Sequence, residues 1–158
     1  MKSKPLGVVI FGVLLIVTSA SQMLALVDYP RYTILFNYIP QELLYFRYAV
    51  SWVLRILGLA SGIGILRFKE IYRKIGLALS GFTIVTIFWK HPYAGFQNHI
   101  HDLSQRGLFD WNAVVAASRL PEATLIGICV VVASLVDLIF AGVFIYYFTR
   151  DPIKDRFH

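Results

Sequence analysis

Residues 123–148 read ATLIGICVVVASLVDLIFAGVFIYYF, a stretch with a single charge, Asp137. About 20 consecutive apolar residues in helical conformation cross the hydrocarbon core of a bilayer, so this stretch reads as a transmembrane helix. A carboxylate near its middle costs roughly 2.5–3.5 kcal/mol on insertion scales, and such a group usually faces the protein interior beside a partner. Pro121 and Glu122 suit the first turn, because Pro needs no backbone donor there and Glu favours the positive end of the helix dipole.

Three more apolar stretches precede it. Residues 5–26 begin PLGVVIFGVLLIV, residues 46–66 read FRYAVSWVLRILGLASGIGIL and residues 75–89 read IGLALSGFTIVTIFW. The expected fold is therefore all-α: a polytopic membrane protein whose residues 1–158 form a single four-transmembrane-helix bundle. Composition agrees, with 58% hydrophobic and 15% charged residues against about 25% charged in an ordinary soluble domain. Lys2, Lys4 and the Thr18-Ser19-Ala20 triplet loosely resemble a secretory signal, but the apolar run continues to Leu26 and predicts a retained helix.

Net charge is +6. Its bases cluster at the ends of the apolar runs, so nucleic acid is not the expected partner; the lipid bilayer is. Nine Lys and Arg residues flank one side of the four spans, including Arg67, Lys69, Arg73 and Lys74 between the second and third, while five are spread over the longer loops of the other. The dense side is expected to be cytoplasmic, which puts both termini inside, and the multi-pass protein in a cell inner (cytoplasmic) membrane. Tyr45, Phe46, Trp89 and Tyr146 mark span ends, where amphipathic rings favour the headgroup level. Cys129 stands alone, so no intramolecular disulfide is possible, and it reads as a small hydrophobe.

The second span carries Arg55, eleven residues before Leu66; Asp137 lies eleven before Phe148. With both helices running outside to inside at about 1.5 Å per residue, the two sit at one depth. Small residues surround both. Gly58 and Gly62 follow Arg55 on its own face, Ala133 and Ala141 bracket Asp137, and the third span adds Ser80. Such residues let helix backbones approach closely in lipid. An intramembrane ion pair between Arg55 and Asp137 is expected. Its two possible roles are fixing helix register and lining a path for protons or ions.

The outer loop, residues 90–122, is long for a compact domain. Phe96, Ile100 and Leu103 recur at helical spacing, and Trp111, Val114 and Val115 do so after Gly107, predicting two short interfacial helices. Segment 27–45, interrupted by Pro30 and Pro40, is expected to lie against the bilayer or the helix tops. His91, His99, His101 and Asp102 fall within twelve residues of the outer loop. Imidazole and carboxylate ligate transition metals, so these four are weighed as metal ligands against the reading of polar residues on a wet helix. No histidine lies inside a span, which disfavours haem. No P-loop, GxGxxG, HExxH or CxxC occurs; neither a catalytic residue nor a cofactor is expected.

The opening KPLGVVIFGVLLIV and the later GIGILRFKEIYRKIGLALS resemble a family of small uncharacterised four-helix integral membrane proteins of prokaryotes. The similarity covers about a third of the chain. It implies a four-helix bundle in a prokaryotic inner membrane and brings no catalytic residues; the His-bearing loop lies outside it. The expected function is a non-enzymatic scaffold or accessory subunit that packs with itself or with a larger membrane complex. The alternatives are a small transporter or ion-conducting protein using Arg55 and Asp137, and a metal-binding activity at the outer histidines.

Orientation is testable in a Cys129→Ser background. A membrane-impermeant thiol reagent applied to intact cells should label Leu108→Cys and spare Lys69→Cys; the reverse pattern would invert the topology.

Overall fold

Prolines set the starts of three long helices. Pro5, Pro40 and Pro121 each hold φ between −58° and −53° with ψ between 134° and 141°, so the chain arrives extended and turns helical at the next residue. The computed structural model describes residues 5–87 and 92–158. Among them the elements are α1 (Leu6–Val27), α2 (Tyr29–Leu35), α3 (Gln41–Leu66), α4 (Glu70–Ile87), α5 (Pro92–Gln105), α6 (Trp111–Ser118), α7 (Glu122–Thr149) and α8 (Asp151–Lys154), with no strand. The all-helical expectation holds. Pro30 and Pro40 correct one reading: they start helices instead of merely interrupting the 27–45 segment. Pro30 sits in the first turn of α2, where Asp28 accepts a hydrogen bond from the Arg31 backbone N–H, and α3 begins at Gln41, not at residue 46.

Three described helices, α1, α3 and α7, are long and apolar enough to cross a membrane. The fourth long helix, α4, carries Glu70, Arg73 and Lys74 in its opening turns. The expected third span, 75–89, occupies the rest of α4 and runs on into positions 88 and 89, outside the described residues. The four long helices pack in sequence, α1 on α3, α3 on α4 and α4 on α7, each pair antiparallel.

The closest approach is between α1 and α3. A methyl group built on Gly62 would lie 2.8 Å from the Gly12 carbonyl oxygen and 3.0 Å from the Ile16 nitrogen, so only glycine lets these backbones meet. One on Gly58 would collide with the Ser19 hydroxyl. Farther along the same antiparallel pair, the Tyr48 hydroxyl donates to the Leu26 carbonyl at 2.8 Å. Gly58, Gly62, Ser80 and Ala141 are all buried; Ala133 lies at the surface.

At one end of the bundle Val8, Phe11, Ile65, Phe144, Phe148 and Phe157 form a closed core. Phe11 meets Phe144 edge to face at 5.4 Å and Phe148 at 5.7 Å. Arg73, read from sequence as one more loop base, is buried here. It donates to the Phe148 carbonyl at 2.7 Å, satisfying an orphan acceptor in the last turn of α7, and grips Glu70 through Nε and Nη2, both at 2.6 Å. Phe68 ends α3 in a left-handed conformation, φ 55°. The Lys69 and Phe68 N–H groups return to the Gly64 and Ile65 carbonyls, the paired hydrogen bonds of a Schellman cap that normally uses glycine. The Phe68 ring packs on Phe157 at 5.5 Å, and His158 pairs its backbone with Phe68 and Glu70.

Gly62→Leu should lower the thermal midpoint in mild detergent by an amount equivalent to about 1–3 kcal/mol, the usual cost of overpacking. Gly142→Ala, which meets open space, should leave the midpoint unchanged or raise it.

Candidate functional site

Halfway along α3 the bundle is not filled. A cavity of about 140 Å³ lies between α1, α3 and α4. Its polar lining comes from Thr18, Ser19 and Gln22 of α1, Arg55 of α3 and Thr83 of α4; Leu15, Leu54, Leu79 and Phe82 supply apolar wall. Gly58 and Ser19, which meet where α3 packs on α1, both line it. No acidic residue lines it.

Arg55 is partly buried. Its Nε is buried without a hydrogen-bond acceptor, and among the described residues its guanidinium enters no salt bridge. Asp137 is near enough for its charge to act on Arg55, but no nitrogen–oxygen contact within 4 Å joins them. Asp137 lies four, seven and eleven residues before Ala141, Phe144 and Phe148, the spacing of one helix face. Those three are buried, whereas Asp137 is exposed. So α7 turns its carboxylate toward the bundle, and the packing opens there. The opening ends at the Phe11–Phe144 core on one side and at a second cluster, Ile100, Trp111 and Ile126, on the other. Among the described residues no direct ion pair joins Arg55 and Asp137.

Thr18 and Thr83 donate their hydroxyl protons to carbonyls in their own helices, Leu14 at 2.7 Å and Leu79 at 3.0 Å. The donors remaining in the lining are the Arg55 guanidinium, the Gln22 amide and the Ser19 hydroxyl. Sequence reading singled out none of the α1 residues as a site. Thr18 and Gln22, at i and i+4 within an apolar run, were the available signal.

The outer helices α2, α5 and α6 cover one end of the bundle. Arg31 of α2 reaches Asp102 of α5 at 2.7 Å, and Arg106 holds the other oxygen at 2.9 Å. Burial pushes the Asp102 carboxyl up, but Arg106 and Arg31 together hold it below the usual range. The neighbouring His99 imidazole is pushed down by burial and by Arg31, against the pull of Asp102. His101 faces Glu122 at 3.4 Å, and Glu122 also accepts from the Trp111 indole at 2.9 Å. Among the described residues no three His, Cys, Asp or Glu side chains gather as metal ligands; His91 lies outside the described residues. Asp102 and His101 are thus engaged in tying helices together.

No protein-family model, curated protein or solved structure matches the chain.

Asp102→Asn removes the negative charge that two arginines share and should lower the thermal midpoint at neutral pH. Because the folded-state pKa is depressed, this stabilisation is present above the ordinary carboxyl value of about 3.9 and is lost as pH falls through the lower folded value. Wild type and variant should therefore converge in acid. A gap that stays constant with pH would show that the carboxylate charge is not what holds α2 to α5.

Proposed function

We propose that this is a non-enzymatic, four-span protein of a prokaryotic inner membrane, with both termini cytoplasmic, that binds an anion at Arg55 and acts as its carrier. The observation that carries the reading is the Arg55 guanidinium, placed near the middle of α3 on the wall of a cavity that contains no acid. A cation at bilayer depth marks a substrate pathway when no partner consumes it. A structural ion pair would have consumed it. Asp137, whose charge reaches Arg55, instead stands outside the cavity lining as a compensating charge that an incoming anion could displace.

The fourth span in this reading is α4, and the orientation rests on the dense basic side. The opening and Gly-rich motifs that resemble small four-helix prokaryotic membrane proteins support the same placement. The scaffold reading loses one of its motives. Gly58 and Gly62, whose spacing suggested association with other subunits, are occupied by α1 of the same chain. A specific observation still favours an accessory role as second reading: only 11% of the apolar window of α7 is buried, and its outer face carries Val131, Val132, Leu135, Val136 and Ile139. A protein that always co-purifies with a larger membrane complex would favour that role.

The test uses purified protein in phosphatidylcholine vesicles and radiolabelled phosphate, acetate and oleate as probes. At least one should cross faster than in protein-free vesicles, and the excess should disappear in a folded Arg55→Gln protein and fall in Asp137→Asn. Equal flux with and without protein, or full flux in Arg55→Gln, would overturn the carrier reading.

A further inference from the structure

The size and surroundings of the Arg55 cavity narrow the ligand. At about 140 Å³ it has room for only a few waters, each taking about 30 Å³ in the liquid, and is far smaller than the roughly 300–1,000 Å³ of pockets that enclose whole metabolites. It can hold a compact head, and the rest of any larger ligand must lie outside it. Thr18, Gln22 and Phe82 are exposed at its rim, on helices whose outer faces are apolar. The space outside is therefore the bilayer. The Phe11–Phe144–Phe148 core closes the bundle one helical turn beyond Leu15, so nothing enters along the bundle axis from that end.

The chemistry inside is equally selective. A guanidinium presents a planar fork of N–H donors that matches a carboxylate or phosphate through two parallel hydrogen bonds. Gln22 and Ser19 add neutral donors. The threonine hydroxyl protons are already committed to helix carbonyls. With no acid in the lining, a cationic head would meet only repulsion from Arg55. A neutral head would offer the guanidinium no charge-assisted hydrogen bond.

We infer that the cavity is a lateral binding site for an amphiphile with an oxyanion in its head group: the head pairs with Arg55 and the acyl chain lies along α1 and α4 in the bilayer. The inference rests on the anion-binding reading above and names its ligand class. A long-chain fatty acid and an anionic phospholipid share this chemistry, and the two are separated by experiment.

The protein is placed in nanodiscs of neutral phosphatidylcholine, and its thermal midpoint is followed while sodium oleate, methyl oleate, dioleoylphosphatidylglycerol or inorganic phosphate is titrated in. Oleate, phosphatidylglycerol or both should raise the midpoint in a saturable way, and whichever acts identifies the source of the head. Methyl oleate, with the same chain and no charge, should not act. Arg55→Gln should weaken the effect about tenfold or more; Arg55→Lys, which keeps the charge and loses the fork, should bind with intermediate strength. Inorganic phosphate acting as well as the lipids would overturn the amphiphile inference while leaving the anion reading in place. Equal action by methyl oleate and oleate would overturn the inference, since the head would then go unrecognised. No response to any anion, or an undiminished response in a folded Arg55→Gln protein, would overturn both. The wild-type comparison of oleate with methyl oleate decides the matter even if Arg55→Gln does not fold.

Discussion

The backbone contact of α1 with α3 at Gly12 and Gly62 is the constraint on which the rest of the molecule depends. Two apolar helices in lipid gain no hydrophobic drive to associate, so in a bilayer this pairing would rest on close van der Waals packing and on groups that satisfy each other. Glycine at both positions lets the two main chains touch. That contact fixes where the aromatic core closes on one side and how far α1 stands from Arg55 on the other. A side chain at position 62 would meet the Gly12 carbonyl and Ile16 and push α1 outward.

The two ends of the bundle are built differently. One is a dry aromatic plug, held by Phe11, Phe144 and Phe148 and locked by the buried Arg73, which bridges the last turn of α7 and the first turn of α4. The other is an amphipathic cover of short helices joined through Asp102, Arg31 and Glu122. Between them the apolar filling is interrupted at the depth of Arg55 and Asp137. The ends thus hold the helices together while the middle is left to polar side chains. Arg55 is thus left on a cavity wall without a salt-bridge partner among the described residues.

Much of this was legible in the chain. Apolar runs marked the long helices, because a 20-residue run has one favourable solution in lipid; Pro40, which opens α3, reads in the sequence only as a break. Phe96, Ile100 and Trp111 marked the outer helices through their spacing. Arg55 and Asp137 stood out because charges are rare inside such runs. Less legible were Arg73, which reads as one of four clustered loop bases, and Phe68, whose left-handed cap carries no glycine. The burial of one and the conformation of the other come from segments distant in sequence, the last turn of α7 and Phe157.

By itself the sequence determined the helical class, the apolar runs and the presence of two opposite charges within them, since each follows from local composition and from the cost of placing polar groups in hydrocarbon. Only the tertiary structure decided that those charges stop short of a salt bridge. Whether two side chains meet depends on how far apart their helices stand, and that distance is set by Gly12, Gly58, Gly62 and the aromatic core, many residues away from either charge. The same packing makes a cavity of Arg55, Gln22, Ser19 and Thr83, which share no local pattern and come together only because three helices do.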